Sequence, residues 1–335
     1  MMDIAHGLGR KILDVAGKHE GRGALSAKGE TLVYGELIFR AAQLAQTLLD
    51  AGAGERESRV AILCDRSCDA YTAIIATLLV GAAYVPLNPK FPVERNRKIL
   101  ASTSPVAMIV DAPNTKDLSA ILSGLETPVI VVASGPEALR LAPADIPMRS
   151  PAVSAGDLGK LGPMQEPDEL AYLLFTSGST GAPKGAPISL GNLDAYIRSA
   201  TALTATNETS RILQLSDLTF DISVHDMFIS WTNGAALFSV PENTTMMATR
   251  FVEEHEITGW YLVPSTAALL KQAGLLLPGV LDSLSFTIFG GEALTRAVVE
   301  SWRIAAPSAK IINVYGPTEA AVAISSFLCT PDNKH

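Results

Sequence analysis

The chain has 335 residues, 48% of them hydrophobic and 18% charged, the composition of a globular protein long enough for a large core and two packed lobes. Its 34 acidic against 26 basic residues give a net charge of −8, and no basic stripe is interleaved with aromatics, which argues against a nucleic-acid partner. The three cysteines, Cys64, Cys68 and Cys329, form neither a disulfide framework nor a zinc tetrahedron, and a reducing cytoplasm fits them.

The first nineteen residues, Met1 to His19, mix polar and apolar positions without a signal-peptide core. Residues 33–49 place Leu37, Ala41, Leu44 and Leu48 at helical spacing, with Gly52 and Gly54 where a helix should stop. A strand is then expected over 59–64, a helix over 69–80, a strand over 84–87, a helix over 93–101 and a strand over 106–111. Residues 70–87 carry no charge, but Gly81 and Pro86 interrupt them, so they read as a buried helix followed by a strand and not as a membrane span. Alternating strands and helices imply an α/β fold with parallel-rich sheets sandwiched by helices. The pattern weakens between Pro113 and Asp168, with a helix at 118–122 and a strand at 128–132, and the lobe boundary is expected at 165/166. Beyond it, strands are expected at 171–175, 212–215, 235–240, 259–263, 285–289 and 310–314.

Directly after the strand at 171–175 comes Thr176-Ser177-Gly178-Ser179-Thr180-Gly181-Ala182-Pro183-Lys184-Gly185. Glycines let backbone N–H groups turn toward an anion, hydroxyls donate to phosphate oxygens, and Lys184 supplies a compact positive charge. Pro183 stands where a Walker loop needs glycine, and no G-x-G-x-x-G opens a helix here. A generic stretch of this composition also serves as a flexible linker, a reading weakened by the Pro-Lys-Gly ending after a buried strand.

The segment resembles the signature loop of the adenylate-forming (ANL) superfamily, which includes acyl- and aryl-CoA synthetases, firefly luciferase and the adenylation domains of nonribosomal peptide synthetases. Four further segments resemble that family in its order: Leu32 to Leu37, Leu79 to Pro89, Phe289-Gly290-Gly291-Glu292-Ala293-Leu294, and Asn313-Val314-Tyr315-Gly316-Pro317-Thr318-Glu319. The resemblance implies ATP as co-substrate and Mg²⁺ as its metal. Gly290, Gly291 and Glu292 would border the nucleotide, Tyr315 offers a face for stacking on adenine, Asn313 an amide for its edge, and Gly316 completes the turn. Thr318 is expected at the α-phosphate and Glu319 as the Mg²⁺ ligand. Alone, Tyr315 reads equally as a core aromatic and Glu319 as a solvated carboxylate.

Phe220-Asp221-Ile222-Ser223-Val224-His225-Asp226 resembles the element of amino-acid-activating members in which the aspartate binds the substrate's α-ammonium group. Asp221 reads otherwise as a cap on the helix toward Trp231. His225 falls one helical turn on and reads as a ligand contact or a structural histidine. By the same resemblance Ile222, Tyr261, Thr287, Phe289, Val314, Val322 and Ala323 would line the substrate pocket.

The activity implied is activation of an amino acid by ATP to an aminoacyl-adenylate plus pyrophosphate, with Lys184, Thr318 and Glu319 as the catalytic set, for transfer to a peptidyl or acyl carrier protein. The chain ends before the family's ribose-binding aspartate, its hinge and the small C-terminal lid domain with the catalytic lysine. Nucleotide and substrate binding are therefore expected ahead of turnover, with a separate or missing lid as a further partner. A subdomain of an acyl- or aryl-CoA ligase and a non-catalytic nucleotide-binding module are the competing expectations.

Overall fold

The computed structural model describes residues 7–177, 183–241 and 244–331. In chain order the elements are α1 (Leu8–Lys18), β1 (Gly23–Ala27), β2 (Glu30–Val33), α2 (Tyr34–Asp50), β3 (Arg59–Leu63), α3 (Cys68–Leu79), β4 (Ala83–Leu87), α4 (Val93–Thr103), β5 (Ala107–Val110), α5 (Leu118–Leu122), β6 (Ile130–Ala133), α6 (Pro136–Arg140), β7 (Met148–Arg149), β8 (Leu170–Ser177) and β9 (Pro183–Ser189). They continue with α7 (Leu190–Thr204), β10 (Arg211–Gln214), α8 (Asp221–Trp231), β11 (Ala236–Ser239), α9 (Ala248–Glu254), β12 (Gly259–Leu262), α10 (Pro264–Gln272), β13 (Phe286–Phe289), α11 (Arg296–Ala305), β14 (Lys310–Tyr315) and β15 (Ser325–Leu328).

The chain divides into two compact units, one of residues 1–22 and 32–194, the other of residues 23–31 and 195–335. The expected boundary at 165/166 therefore falls inside the first unit. The reason is pairing: β8 lies parallel to β4 through Tyr84 and Tyr172, and β9 folds back antiparallel on β8, so the hairpin belongs to the first unit's sheet.

In the first unit the strand order is β7-β6-β5-β3-β4-β8-β9, parallel except that β9 runs antiparallel to β8. α3 is apolar on nearly every side and every residue of β4 is buried, which is why 70–87 carries no charge. Among the described residues no helix is long and apolar enough to cross a membrane. In the second sheet the order is β15-β14-β13-β12-β10-β11-β1-β2, with β15 antiparallel to β14.

Both sheets carry one winding rule. β3 leads through α3 to β4 on one flank, and β4 leads through α4 to β5 on the other flank of β3. β10 leads through α8 to β11 on one flank, and the chain then returns to β12 on the other flank of β10. Each unit thus has a topological switch, between β3 and β5 in the first and between β10 and β12 in the second. In open α/β sheets the crevice beyond the carboxyl ends of the strands at such a point is where ligands sit.

Candidate functional site

In the second unit Asp221, Thr318 and Glu319 meet at the carboxyl edge beside the β10/β12 switch. Asp221 opens α8, and its helix has no side-chain cap at Phe220. The carboxyl group accepts hydrogen bonds from the Thr318 hydroxyl and from the backbone N–H groups of Ile222 and of its own residue. Asp221 thus stands in the first turn of α8 and also meets the segment after β14. Burial raises its pKa, the bonds from Thr318 and the backbone oppose the rise, and the nearby Glu319 carboxylate adds to it. Three residues of the motif set, Asp221, Thr318 and Glu319, are therefore one electrostatic group.

One turn along α8, His225 is 1% exposed. Its Nδ1 shares a 2.8 Å hydrogen bond with the Tyr196 hydroxyl, its Nε2 has no partner among the described residues, and its ring meets Tyr261 edge-on at 5.1 Å. Burial pushes its pKa down to about 3, so the ring is neutral. Tyr261 is buried against the same group, and burial together with the charges of Asp221 and Asp226 raises its phenol. Ile222 and Tyr261 border a cavity of about 310 Å³ with Leu215, Phe220 and Val263.

Strand register decides which other residues share this face. A Cβ on Gly259 would lie 2.3 Å from the Phe286 ring and 2.9 Å from Ile212, so Gly259, Phe286 and Ile212 point the same way. Side chains alternate along a strand, so Tyr261 and Ile288, cross-strand partners on β12 and β13, share that face. A Cβ on Gly290 would stand 2.4 Å from the Tyr261 hydroxyl and 2.9 Å from Val314, which places Gly290 and Val314 there too.

Thr287 and Phe289 do not belong to it. Both are 0% exposed. The Thr287 hydroxyl accepts a 2.9 Å hydrogen bond from the Trp302 indole of α11, and Phe289 packs edge-on against Trp302 at 5.3 Å, in a core cluster with Trp260 and Leu262. The expectation that they line the substrate pocket is corrected by one residue of register: Ile288 and Gly290 occupy the pocket face. β13 is buried on both faces, so no polar-apolar alternation marks its register in the sequence.

The remaining predicted residues fall as follows. The Glu292 carboxylate accepts from the backbone N–H and the hydroxyl of Ser265, both at 2.9 Å, and so caps α10. Gly291 has φ +80, a conformation that favours glycine. Asn313 borders a cavity of about 400 Å³ with Leu294, Arg296 and Phe327, on the α11 side of the sheet. Tyr315 is 70% exposed, presenting its ring to solvent. Gly316 is required by a close approach: a Cβ there would stand 2.5 Å from the Ala323 Cα. That approach belongs to a tight turn in which the Ala323 N–H donates to the Ala321 carbonyl at 2.9 Å, with Val322 at φ +74. This is the strained γ-turn, held by a β-branched residue.

In the first unit, Thr176 and Lys184 face each other across β8 and β9, and the Thr176 hydroxyl lies 3.5 Å from the Lys184 carbonyl. Lys184 is exposed. Ser177 pairs with Pro183 at the end of the ladder, while Gly178, Ser179, Thr180 and Gly181 lie outside the described residues. The hairpin presents the loop from an antiparallel ladder, where the sequence indicated only the strand leading into it.

The L-proline--[L-prolyl-carrier protein] ligase of Streptomyces coelicolor is 34% identical over 319 residues, spanning 92% of this chain and 59% of that protein. Surfactin synthase subunit 2 of Bacillus subtilis is 32% identical over 308 residues, 91% of this chain and 8% of that one. The crystal structure of the Vibrio cholerae adenylation domain AlmE in complex with glycyl-adenosine-5'-phosphate superposes with a TM-score of 0.89 at 32% identity, covering 100% of this chain and 63% of its own. This chain thus spans about three fifths of the length of the first and third of these. The family model described as AMP-binding enzyme matches residues 13–335, and the chain belongs to that family.

Proposed function

We propose that this chain binds ATP and an amino acid and supports formation of an aminoacyl-adenylate and pyrophosphate, as the larger part of a ligase that loads a carrier protein. The observation that carries the reading is the Asp221 carboxylate, half-buried at the start of α8 and bonded to the Thr318 hydroxyl beside Glu319. A half-buried carboxylate whose pKa desolvation raises gains most from a cationic partner, and an α-ammonium group is one. In the reaction a substrate carboxylate oxygen forms a bond to the α-phosphorus while the bond to the pyrophosphate oxygen breaks and pyrophosphate leaves.

Each residue then has a task. Asp221 orients the amino acid, and Tyr261, Ile288, Gly290 and Val314 bound its side chain, with Ile222, His225, Val322 and Ala323 completing the wall. Thr318 donates to the α-phosphate, Tyr315 stacks on adenine with Asn313 at its edge, and Lys184 with the hydroxyls of its loop restrains the outer phosphates. Among the described residues no three His, Cys, Asp or Glu side chains form a cage for a metal. That suits Mg²⁺, which is commonly held by one or two carboxylates plus phosphates and water, and Glu319 is the carboxylate for it. Bound there, the ion would offset phosphate charge.

The test is calorimetric titration with a panel of aminoacyl and plain acyl sulfamoyl-adenosines, which mimic the adenylate without turnover. Tight binding of one aminoacyl member, lost in Asp221→Asn, is expected. Preference for a plain acyl member would replace this reading with that of an acyl- or aryl-CoA ligase. No binding by any member would overturn it.

A further inference from the structure

The first unit repeats the winding of the second, β4-β3-β5-β6-β7 corresponding to β11-β10-β12-β13-β14, and its switch crevice is also hollow. A cavity of about 250 Å³ lies at the carboxyl ends of β3 and β4, bordered by Leu63, Phe91, Val93, Asn96, Asn114 and Asp117. Nothing in the proposed adenylation chemistry uses it.

The walls are built. After β4, the Asn88 side chain accepts from the Lys90 N–H at 2.8 Å, and the Asn88 carbonyl accepts both the Phe91 N–H at 3.0 Å and the Asn96 amide at 2.9 Å. These bonds hold the Pro89 to Pro92 turn against α4. Across the crevice, the Asn114 amide donates to Asp111 at 2.6 Å and to Asp65 at 3.2 Å, tying the segment after β5 to that after β3.

One atom is left over. Asn96 is 1% exposed, its amide nitrogen is engaged by Asn88, and its Oδ1 has no hydrogen-bond partner among the described residues. A buried acceptor without a donor is costly, and here it borders a cavity. Asp117, half-buried and also lining the cavity, makes no ion pair among the described residues, and no lysine or arginine lines the cavity. Leu63, Phe91, Val93 and the flanking prolines make the remaining surface apolar.

We propose that this crevice is a second binding site, for a small organic cation with a primary ammonium on an apolar body, in which Asn96 Oδ1 accepts from the ammonium and Asp117 supplies the counter-charge. An ammonium offers the donors that Asn96 lacks, and the apolar body fills the space beneath Phe91. A carboxylate or phosphate is disfavoured, because the cavity lining offers acceptors and an acidic group and no lysine or arginine; the Arg95 guanidinium, 4.5 Å from the Phe91 ring centroid, is not among the lining residues. The site is distinct from the one at Asp221 and stands whether or not the adenylation reading does.

Benzylamine is the probe, followed by calorimetry and saturation-transfer NMR on the 335-residue chain, with benzyl alcohol and benzoate as neutral and anionic counterparts. The expected result is saturable binding of benzylamine, stronger than that of either counterpart. In the Asp221→Asn background, which removes the ammonium site of the second unit, binding should persist and should weaken about tenfold in Asn96→Leu and in Asp117→Asn. Absence of benzylamine binding, equal binding of the three probes, or affinity unchanged in Asp117→Asn would overturn the proposal. Loss of binding in Asp221→Asn would also overturn it, by assigning the amine to the second unit. Asp117 is partly exposed, so its variant decides the matter should Asn96→Leu fail to fold.

Discussion

On the α11 side of β13, Thr287 and Phe289 close against Trp302 in a dry aromatic cluster. On the α8 side of the neighbouring strand, Tyr261 meets a neutral histidine whose Nε2 has no partner among the described residues, and the charge of Asp221 reaches its phenol. One residue of register separates the two environments. Burial alone does not distinguish them, because Phe289 and His225 are both at most 1% exposed. What distinguishes them is chemical character: the α11 side is an aromatic cluster in which the Thr287 hydroxyl accepts from the Trp302 indole, whereas the α8 side gathers the titratable groups His225, Tyr261, Asp221 and Asp226.

The sharpest way to break this contrast is on the packed side. Phe289→Ala should cost roughly 3–5 kcal/mol in denaturant unfolding, the usual penalty for emptying a buried aromatic site. A folded variant of unchanged stability with lost adenylate-analogue affinity would restore Phe289 to the pocket. On the polar side the sign reverses. Asp221→Asn should weaken binding of the preferred aminoacyl sulfamoyl-adenosine by about a hundredfold. Its ligand-free stability at pH 7 should not fall, because burial raises the folded pKa: the folded state binds the proton more tightly than the unfolded one, so ionisation costs stability as pH rises through that window. A large drop in Tm in this variant would make Asp221 a structural cap.

His225 sharpens the comparison through pH. Its folded pKa is pushed down to about 3 by burial, below the ordinary value of 6.5 that the unfolded chain keeps. Its contribution is therefore intact above the unfolded pKa and lost as pH falls from there toward about 3, at up to about 1.4 kcal/mol per pH unit. Unfolding free energies between pH 7 and 4.5 should show that slope and lose it in His225→Gln. Identical slopes would mean that the ring is charged or solvated in the fold. The smallest effect is expected at Glu292, where alanine removes two bonds to Ser265 and should cost about 1 kcal/mol in thermal unfolding.

The strands and helices of both units were legible where hydrophobic patterning is strong. The helix expected over 33–49 is α2 at Tyr34–Asp50, that over 69–80 is α3 at Cys68–Leu79, and the strand over 259–263 is β12 at Gly259–Leu262. Less legible were α1, whose apolar stripe of Leu8, Ile12, Val15 and Ala16 was hidden in a mixed N-terminal segment, and the short strands β1, β2, β9 and β15. β15 is exposed at all four positions, so no core face announces it.

The amino-acid sequence by itself determined the motif chemistry and the alternation of strands and helices, because glycine, hydroxyl and charge spacing along a loop and apolar periodicity along a helix are local properties. Tertiary structure alone decided three things. It assigned the β8–β9 hairpin to the first unit, since sheet membership depends on which strand lies alongside. It set Ile288 and Gly290, in place of Thr287 and Phe289, on the Tyr261 face, since a strand buried on both sides carries no mark of its register. It also opened a cavity beside Asn96, because whether a buried amide oxygen finds a donor depends on segments far apart in the chain, here the ends of β3, β4 and β5.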